Sequence, residues 1–173
     1  AAQGDLSRFQ TEAWAVAQLH HPNILHSSEI GEHDGLPFFS MEFVDGGCLS
    51  DKVNGQAQPA REAVEMVKSL ARAIHVAHLK GIIHRDLKPA NVLVDGKRHL
   101  VKLCDLGSAK RISPGLPNQL GVLRTTVWYR PPEMSLASPG YGTQGDPWAA
   151  ACPCLLHPSD AAHHGLGEDV RRR

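Results

Sequence analysis

The sequence predicts a chain of the α+β class, in which strand hairpins and helices occupy separate stretches. Three observations lead to this prediction. Residues 60–80 repeat apolar side chains at helical spacing, residues 24–44 hold two extended runs around a turn, and residues 92–106 hold a second pair of short strands. With 173 residues, the chain is expected to form one domain with a buried core.

The elements follow in order along the chain. Residues 5–20 predict a helix that ends at "HHPN", because Pro22 cannot continue it. Extended runs on both sides of "EHDG" predict a hairpin. Residues 60–80 predict an amphipathic helix with Gly81 at its C-terminal cap, and Asp95-Gly96 predicts a tight turn between strands at 92–94 and 99–106. The apolar stripe of that helix comprises Val64, Val67, Leu70, Ala71, Ile74, Ala77 and His78.

Composition excludes several classes of protein. Lys plus Arg is 18 and Asp plus Glu is 18, so the zero net charge does not favour nucleic acid or an anionic membrane surface. The sequence contains no apolar run of about 18 residues, and its first residues lack the pattern of a signal peptide. Its four cysteines form no regular disulfide framework. We therefore expect a cytoplasmic or nuclear protein that is not secreted.

The polar loop "HRDLKPAN" at residues 84–91 holds groups suited to phosphoryl transfer. Asp86, Lys88 and Asn91 share the loop, and the following hairpin is expected to bring Asp105 back beside it. Asp105 and Asn91 offer the oxygen ligands that Mg²⁺ prefers. Asp86 offers an acceptor for the proton of an attacking hydroxyl, and Lys88 offers positive charge for the transferred phosphoryl group.

Three motifs in this order resemble the protein kinases. Residues 84–91 match the catalytic loop H-R-D-L-x-x-x-N throughout, Asp105-Leu106-Gly107 resembles D-F-G, and Pro131-Pro132-Glu133 resembles A-P-E. Lysine two positions after the catalytic aspartate is typical of the Ser/Thr branch. The resemblance covers roughly residues 5–150 and implies transfer of the ATP γ-phosphate to a Ser or Thr hydroxyl of a protein substrate.

The resemblance also implies a domain organisation. The expected fold is a protein-kinase-like two-lobe fold, truncated, with a partial antiparallel N-lobe and an incomplete, mainly helical C-lobe. The partial kinase domain spans residues 1–150, with an N-lobe remnant at 1–44, a hinge at 42–47 and part of the C-lobe at 48–150. Residues 151–173 are expected to form a divergent, disordered tail.

The resemblance assigns a nucleotide site to the hinge region. "FFSMEFVDGGCLSD" looks like the last N-lobe strand and the hinge, so Met41 would be the gatekeeper and the backbones of Glu42 and Val44 would hold adenine. Leu93 would form the floor of the adenine pocket. The remaining ligands implied for ATP and Mg²⁺ are Lys88, Asn91 and Asp105.

Further residues receive structural or regulatory roles from the resemblance. Glu12 would pair with an ATP-anchoring lysine, His84 would be a core histidine against the D-L-G segment, and Asp146 would anchor the catalytic loop. "TTVWYRPPE" is similar to the proline-directed, cyclin-dependent-like group, in which Thr126 would contact Asp86 and Lys88. The full set is Glu12, His84, Arg85, Leu106, Gly107, Thr126, Arg130 (shaping the substrate pocket), Glu133 and Asp146.

The two ends of the sequence leave alternatives open. In the family, a glycine-rich loop and a strand lysine precede helix C, where this sequence begins. We therefore expect an incomplete, weakly active or inactive fragment, or alternatively a pseudokinase-like binding protein. A regulatory protein partner is a further hypothesis. The G-x-G-x-x-G at residues 140–145 is no replacement, because it follows the catalytic loop.

The C-terminal stretch departs from the family pattern. Pro147 and Pro153 are expected to strain the helix that starts there, and a frameshift near residues 147–153 is a hypothesis that translation of the other reading frames would test. A zinc cluster is not favoured, because C-x-C with scattered histidines lacks the usual ligand spacing. Its candidate ligands are Cys152, Cys154, His157, His163 and His164.

Phosphorylation is a further possibility for the segment between the second and third motifs. Phosphate on Ser113, Thr125 or Thr126 would pair with Arg85 through charge-assisted hydrogen bonds. Thr126 is better explained by a structural role.

Overall fold

The computed structural model describes residues 13–15, 17–53, 58–96, 100–112, 125–136 and 142–155. Within the expected helix at 5–20, residues 13–15 and 17 are helical, and the other residues up to 12 lie outside the described part. Ala13, Ala15 and Leu19 are buried there. The predicted α+β class is confirmed by the mixture of antiparallel strand pairs and helices.

The predicted hairpin around "EHDG" is confirmed. Strand β1 (Ser27–His33) pairs antiparallel with β2 (Leu36–Met41), and His33 lies opposite Leu36. Asp34 and Gly35 connect the strands with φ of 50° and 76°. Positive φ at both central residues is what a two-residue hairpin turn requires, and Asp-Gly is a favoured pair for it.

The long helix also forms where the apolar stripe predicted it. Helix α1 (Leu49–Val53) is a short element after the hinge, and α2 extends over Ala60–Leu79. Leu70, Ala73, Ile74 and Ala77 are buried along one face of α2, whereas Val64, expected in the stripe, is 62% exposed. Gly81 follows the helix at φ 71°, a conformation that glycine adopts at little cost.

Short strand pairs place the polar loop beside its partners. Strand β3 (Ile82–Ile83) pairs with β6 (Lys110–Arg111), and β4 (Val92–Asp95) pairs antiparallel with β5 (Leu100–Leu103). The polar loop runs from β3 into a 3₁₀ turn at Pro89–Asn91 and then into β4. After β5, which ends three residues before the predicted end of the strand at 106, the chain forms a second 3₁₀ turn at Leu106–Ser108 and then β6.

Two further helices complete the described fold. A third 3₁₀ turn at Val127–Tyr129 precedes α3 (Pro132–Ser135), and α4 spans Gly145–Leu155 and packs against α2. Pro147 does not prevent α4, because it lies in the first turn, where a missing N–H leaves no intrahelical bond unmade. The helix also continues through position 153.

The main core lies between α2, α4 and the β4–β5 pair. Apolar side chains from these elements and from the polar loop form one cluster, which includes Leu49, Leu70, Ile74, Leu87, Val92, Leu103, Tyr129 and Ala149. The loop is therefore fixed by its apolar members while its polar groups converge. In the described residues, no helix is long and apolar enough to cross a membrane.

Candidate active site

Asp146 on α4 holds the start of the polar loop. Its Oδ2 accepts the backbone N–H of His84 at 2.8 Å, and its Oδ1 accepts that of Arg85 at 2.9 Å. Asp146 is 1% exposed, so these bonds form where water does not compete. The contact between Asp146 and the loop that the sequence led us to expect is thus present.

Asp86 lies at the centre of a set of convergent polar groups. Its Oδ1 accepts the backbone N–H of Thr126 at 3.0 Å and the Thr126 hydroxyl at 2.9 Å. Its Oδ2 accepts the Lys88 ammonium at 2.8 Å, and Lys88 Nζ also donates to Thr126 Oγ1 at 3.3 Å. The carboxylate is therefore fixed in one orientation, with its Oδ2 on the side where Lys88 places positive charge.

The ring of His84 is a buried structural group. Its Nδ1 accepts the backbone N–H of Asp86 at 3.3 Å, which leaves Nε2 to donate to the carbonyl of Cys104 at 3.0 Å. Since one nitrogen accepts and the other donates, the neutral Nε2–H tautomer satisfies both bonds. His84 therefore ties Asp86 to the residue before Asp105, in keeping with the expected role of a core histidine.

Asn91 and Asp105, the expected Mg²⁺ ligands, are held near each other by the backbone. Asn91 Nδ2 donates to the Asp86 carbonyl at 2.9 Å, so the amide oxygen points away from that bond. The backbone N–H of Cys104 donates to the Asn91 carbonyl at 3.0 Å, which brings Asp105 next to Asn91. Within the described residues, no hydrogen bond or ion pair engages the Asp105 carboxylate. Such an oxygen is suited to a hard cation such as Mg²⁺.

Leu106 and Gly107 are buried in the 3₁₀ turn that follows Asp105. Leu106 is 2% exposed and packs with Ala15, Leu19 and Ile24, which join the N-terminal helical residues to the D-L-G segment. Arg85 Nε donates to the Ser108 carbonyl at 2.6 Å. Here the Arg85 side chain binds the backbone of this segment, whereas the sequence led us to consider a phosphate partner.

The hinge lies against β4. The backbone N–H of Val94 donates to the Gly47 carbonyl at 2.9 Å, and Cys48 forms a bridge with Leu93. Leu93, the expected floor of the adenine pocket, thereby lies beside the hinge, and Met41 is 49% exposed. Within the described residues, neither the N–H nor the carbonyl of Val44 has a hydrogen-bond partner. Both remain available to the edge of a planar base.

Sequence reasoning did not identify Lys102, whose buried side chain binds Glu42 of the hinge. Its side chain is 6% exposed and donates to Glu42 Oε1 at 2.8 Å and to the Pro22 carbonyl at 3.0 Å. Burial alone would raise the pKa of Glu42, but hydrogen bonds from Lys102 and from the His26 backbone N–H lower it below its ordinary value. A lysine in the apolar run "HLVKLCDL" was the available signal, because a buried lysine requires a partner.

Comparison with known proteins agrees with this geometry. The family described as "Protein kinase domain" matches residues 1–157. The chain belongs to the protein kinase family. The match extends past position 150, where we expected the domain to end, and α4 also crosses that position.

Named relatives of this kinase chain are serine/threonine kinases. It is 42% identical over 134 residues to the "Probable serine/threonine-protein kinase PknB" of Lactococcus lactis, covering 77% of the chain and 21% of that protein. It is 34% identical over 149 residues to PknJ of Mycobacterium tuberculosis, covering 84% of the chain and 25% of that protein. It is 36% identical over 134 residues to PknB of Mycobacterium leprae, covering 74% of the chain and 21% of that protein.

The comparisons limit how far the properties of these relatives can be assigned to this chain, and they leave one expectation unsupported. The kinase chain spans between a fifth and a quarter of the length of these relatives. These relatives are bacterial, and the comparisons do not support the resemblance of "TTVWYRPPE" to the cyclin-dependent-like group. What they support is the coarser assignment to serine/threonine kinases.

The remaining predicted residues differ in how far the structure describes them. Arg130 binds Thr125 through Nε at 3.1 Å and through Nη2 to the Thr125 carbonyl at 2.9 Å. Glu133 lies in α3 and is half-buried. Glu12 lies outside the described residues, as do the candidate zinc ligands His157, His163 and His164.

His78 is the second residue that sequence reasoning did not place in the site. We assigned it to the apolar stripe of α2, but its Nε2 lies 2.8 Å from Asp146 Oδ2. The available signal was a polar ring in the last turn of a helix that leads directly into the catalytic loop.

Proposed function

We propose that this chain carries part of the active site of a protein serine/threonine kinase, namely the residues that orient the substrate hydroxyl and hold Mg²⁺. Such a kinase transfers the ATP γ-phosphate to a Ser or Thr hydroxyl of a protein. The observation that carries the proposal is the convergence of Lys88 and Thr126 on the Asp86 carboxylate, with distances of 2.8 to 3.0 Å. This arrangement holds a proton acceptor in one orientation beside a fixed positive charge. Both are requirements of phosphoryl transfer.

Each residue has a task in this proposal. Asp86 orients the substrate hydroxyl and accepts its proton as the new oxygen–phosphorus bond forms, and Lys88 offsets the negative charge of the transferred group. The amide oxygen of Asn91 and the carboxylate of Asp105 would hold Mg²⁺. When bound, Mg-ATP supplies the phosphoryl group, whose bond to the departing ADP breaks. The backbone of Glu42 and Val44 would hold adenine.

Substrate preference is a finer proposal. The proposal that the kinase prefers proline after the phosphorylated residue is supported by the sequence "WYR" alone. A peptide array in which proline at that position gives no advantage would remove it.

The experiment is phosphate transfer from radiolabelled Mg-ATP to a generic protein substrate under single-turnover conditions, comparing the unmodified chain with Asp86→Asn. Residues 1–83, which precede the catalytic loop, contain no glycine-rich phosphate clamp, so we expect slow transfer by this chain. Asp86→Asn should reduce it by roughly a hundredfold or more, because the proton acceptor is lost. The control is Asp34→Asn in the exposed β1–β2 turn, which should transfer at the unmodified rate.

Two outcomes separate this proposal from its alternative. Transfer that depends on Asp86 supports a kinase. No transfer above background by either the unmodified chain or Asp86→Asn, together with binding of a fluorescent nucleotide, would contradict the kinase proposal and support a pseudokinase-like binding protein.

A further inference from the structure

Arg111 lies over the ring of Trp14, outside the site described above. Its guanidinium carbon is 5.7 Å from the centroid of the indole ring. A cation within about 6 Å of a tryptophan ring centroid is attracted to the negative face of that ring. Trp14 belongs to the N-terminal helical residues and Arg111 ends β6, so the contact joins two segments that are distant in the sequence.

Strand β6 is short, so its backbone pairing contributes little stability. It spans two residues, and Arg111 lies opposite Ile82 of β3. The N–H of Ile112, the next residue, donates to the Gly81 carbonyl at 2.7 Å. Two-stranded pairs gain their stability from packing against the rest of a protein. Side chains that reach across to another segment therefore matter for the position of β6.

The same two segments also meet in an apolar cluster. Ala15, next to the tryptophan, and Ala109, just before β6, are both buried members of it. So is Leu106, which directly follows Asp105. An alanine buries much less apolar surface than an indole ring, so the two alanines supply only a small part of the contact. The cation–π pair adds to it from the surface and favours the packing of Leu106, and with it the placement of Asp105.

We propose that Arg111 is a positioning residue, whose charge on the Trp14 ring holds β6 against the N-terminal helical residues and thereby fixes the backbone after Asp105. Arg111 acts through this backbone and does not touch the reacting atoms. Its consequence for Mg²⁺ binding by Asp105 rests on the proposed function, whereas its effect on β6 does not. Arg111 is exposed and Trp14 is 37% exposed, so both can be substituted without opening the core.

Amide hydrogen exchange at two positions tests the proposal without requiring activity. The Ile112 amide reports whether β6 remains paired, and the Ala109 amide, bonded to the Leu106 carbonyl at 2.8 Å, reports the turn after Asp105. Arg111→Gln removes the charge, and Arg111→Lys keeps a charge at a similar reach. In Arg111→Gln both amides should exchange about twofold to fivefold faster, the factor expected on loss of an exposed cation–π contact. Arg111→Lys should retain most of the protection.

The tryptophan provides the complementary variants. Trp14→Leu should accelerate exchange at least as much as Arg111→Gln does. Adding Arg111→Gln to it should have no further effect, because the charge then has no ring to bind. Trp148→Leu is the matched control, since this ring on α4 is 49% exposed, and it should leave both amides unchanged.

Three results would overturn the proposal. One is equal protection of both amides in Arg111→Gln and the unmodified chain. Another is faster exchange at Ile112 with no change at Ala109, which would confine the effect to β6. The third is an undiminished effect of Arg111→Gln in the Trp14→Leu chain.

If Trp14→Leu does not fold, proton NMR of the unmodified chain decides the matter. Upfield ring-current shifts of the Arg111 side-chain protons support the proposal, and the shifts of a free arginine overturn it. Failure of the unmodified chain to transfer phosphate would refute the proposed function and leave these results standing.

Discussion

Two residues in the site have left-handed backbone conformations. Arg85 has φ 70° and Asp105 has φ 57°, and for residues with a side chain this conformation costs roughly 1–2 kcal/mol. Both persist because their surroundings fix them: Asp146 binds the Arg85 N–H, and Leu106 is buried directly after Asp105. The sequence placed these residues in the site, but it gave no indication of their conformation, since neither is a glycine.

Gly46 in the hinge provides a prediction at this scale. A Cβ at Gly46 would overlap the Val94 carbonyl oxygen on β4, which is backbone and cannot rotate aside. We expect Gly46→Ala to lower the free energy of unfolding by about 1–3 kcal/mol, as overpacked sites do. Denaturant titration measures the change. Gly96→Ala is the matched control, because its Cβ would lie 3.7 Å from Asp45 Oδ1, and comparable losses in both variants would contradict this explanation.

Strand β5 organises the site at the scale of elements. The Lys102 side chain donates to Glu42 in the hinge. The Leu103 carbonyl accepts a backbone hydrogen bond from the segment at 23–25, and the Leu103 N–H donates one to it. Directly after the strand, the Cys104 N–H donates to the Asn91 carbonyl. A strand of four residues therefore connects the expected adenine and metal positions. The sequence predicted this strand and its pairing with β4, but the hinge contact of Lys102 depends on a partner sixty positions away.

A double-mutant cycle on Lys102 and Glu42 tests this connection. Glu42→Gln leaves a buried ammonium with neutral acceptors, and Lys102→Met removes the ammonium, so each change should destabilise the chain. We expect the two losses to be coupled by roughly 0.5–3 kcal/mol in the free energy of unfolding. The control cycle uses Lys68 and Glu65, whose side chains are 48% and 63% exposed and should couple weakly. Equal coupling in the two cycles would contradict a special role for Lys102.

At the scale of the whole molecule, electrostatic interactions between distant segments lower the pKa values of His21 and Glu42. His21 has its pKa lowered from the ordinary value of 6.5, first by burial and then by the positive charges of Arg72 and Lys102. Glu42 has its pKa lowered from 4.5, because the hydrogen bonds from Lys102 and the His26 backbone outweigh the opposing effect of burial. In both groups the folded chain binds protons less readily than the unfolded chain.

Acid should therefore destabilise the protein in two steps. The contribution of His21 is present above pH 6.5 and is lost as pH falls through its folded pKa, and that of Glu42 is present above pH 4.5 and is lost below it. Urea unfolding as a function of pH measures both. His21→Asn, which keeps an acceptor for the Asn23 N–H, should flatten the curve just below pH 6.5, and Glu42→Gln should flatten it only below pH 4.5. A curve unchanged by His21→Asn would contradict the first step.

Local residue patterns were sufficient to predict the main elements and the polar groups of the catalytic loop. The apolar periodicity predicted α2, the Asp-Gly pair predicted the β1–β2 turn, and the spacing of Asp86, Lys88 and Asn91 predicted that these polar groups lie together. These features are local, so neighbouring residues suffice to reveal them. Which distant groups hold the loop in place depends on the packing of the folded chain. Asp146 meets His78 across 68 positions and Lys102 meets Glu42 across 60, and both contacts exist only because burial in the packed fold forces polar groups to find partners.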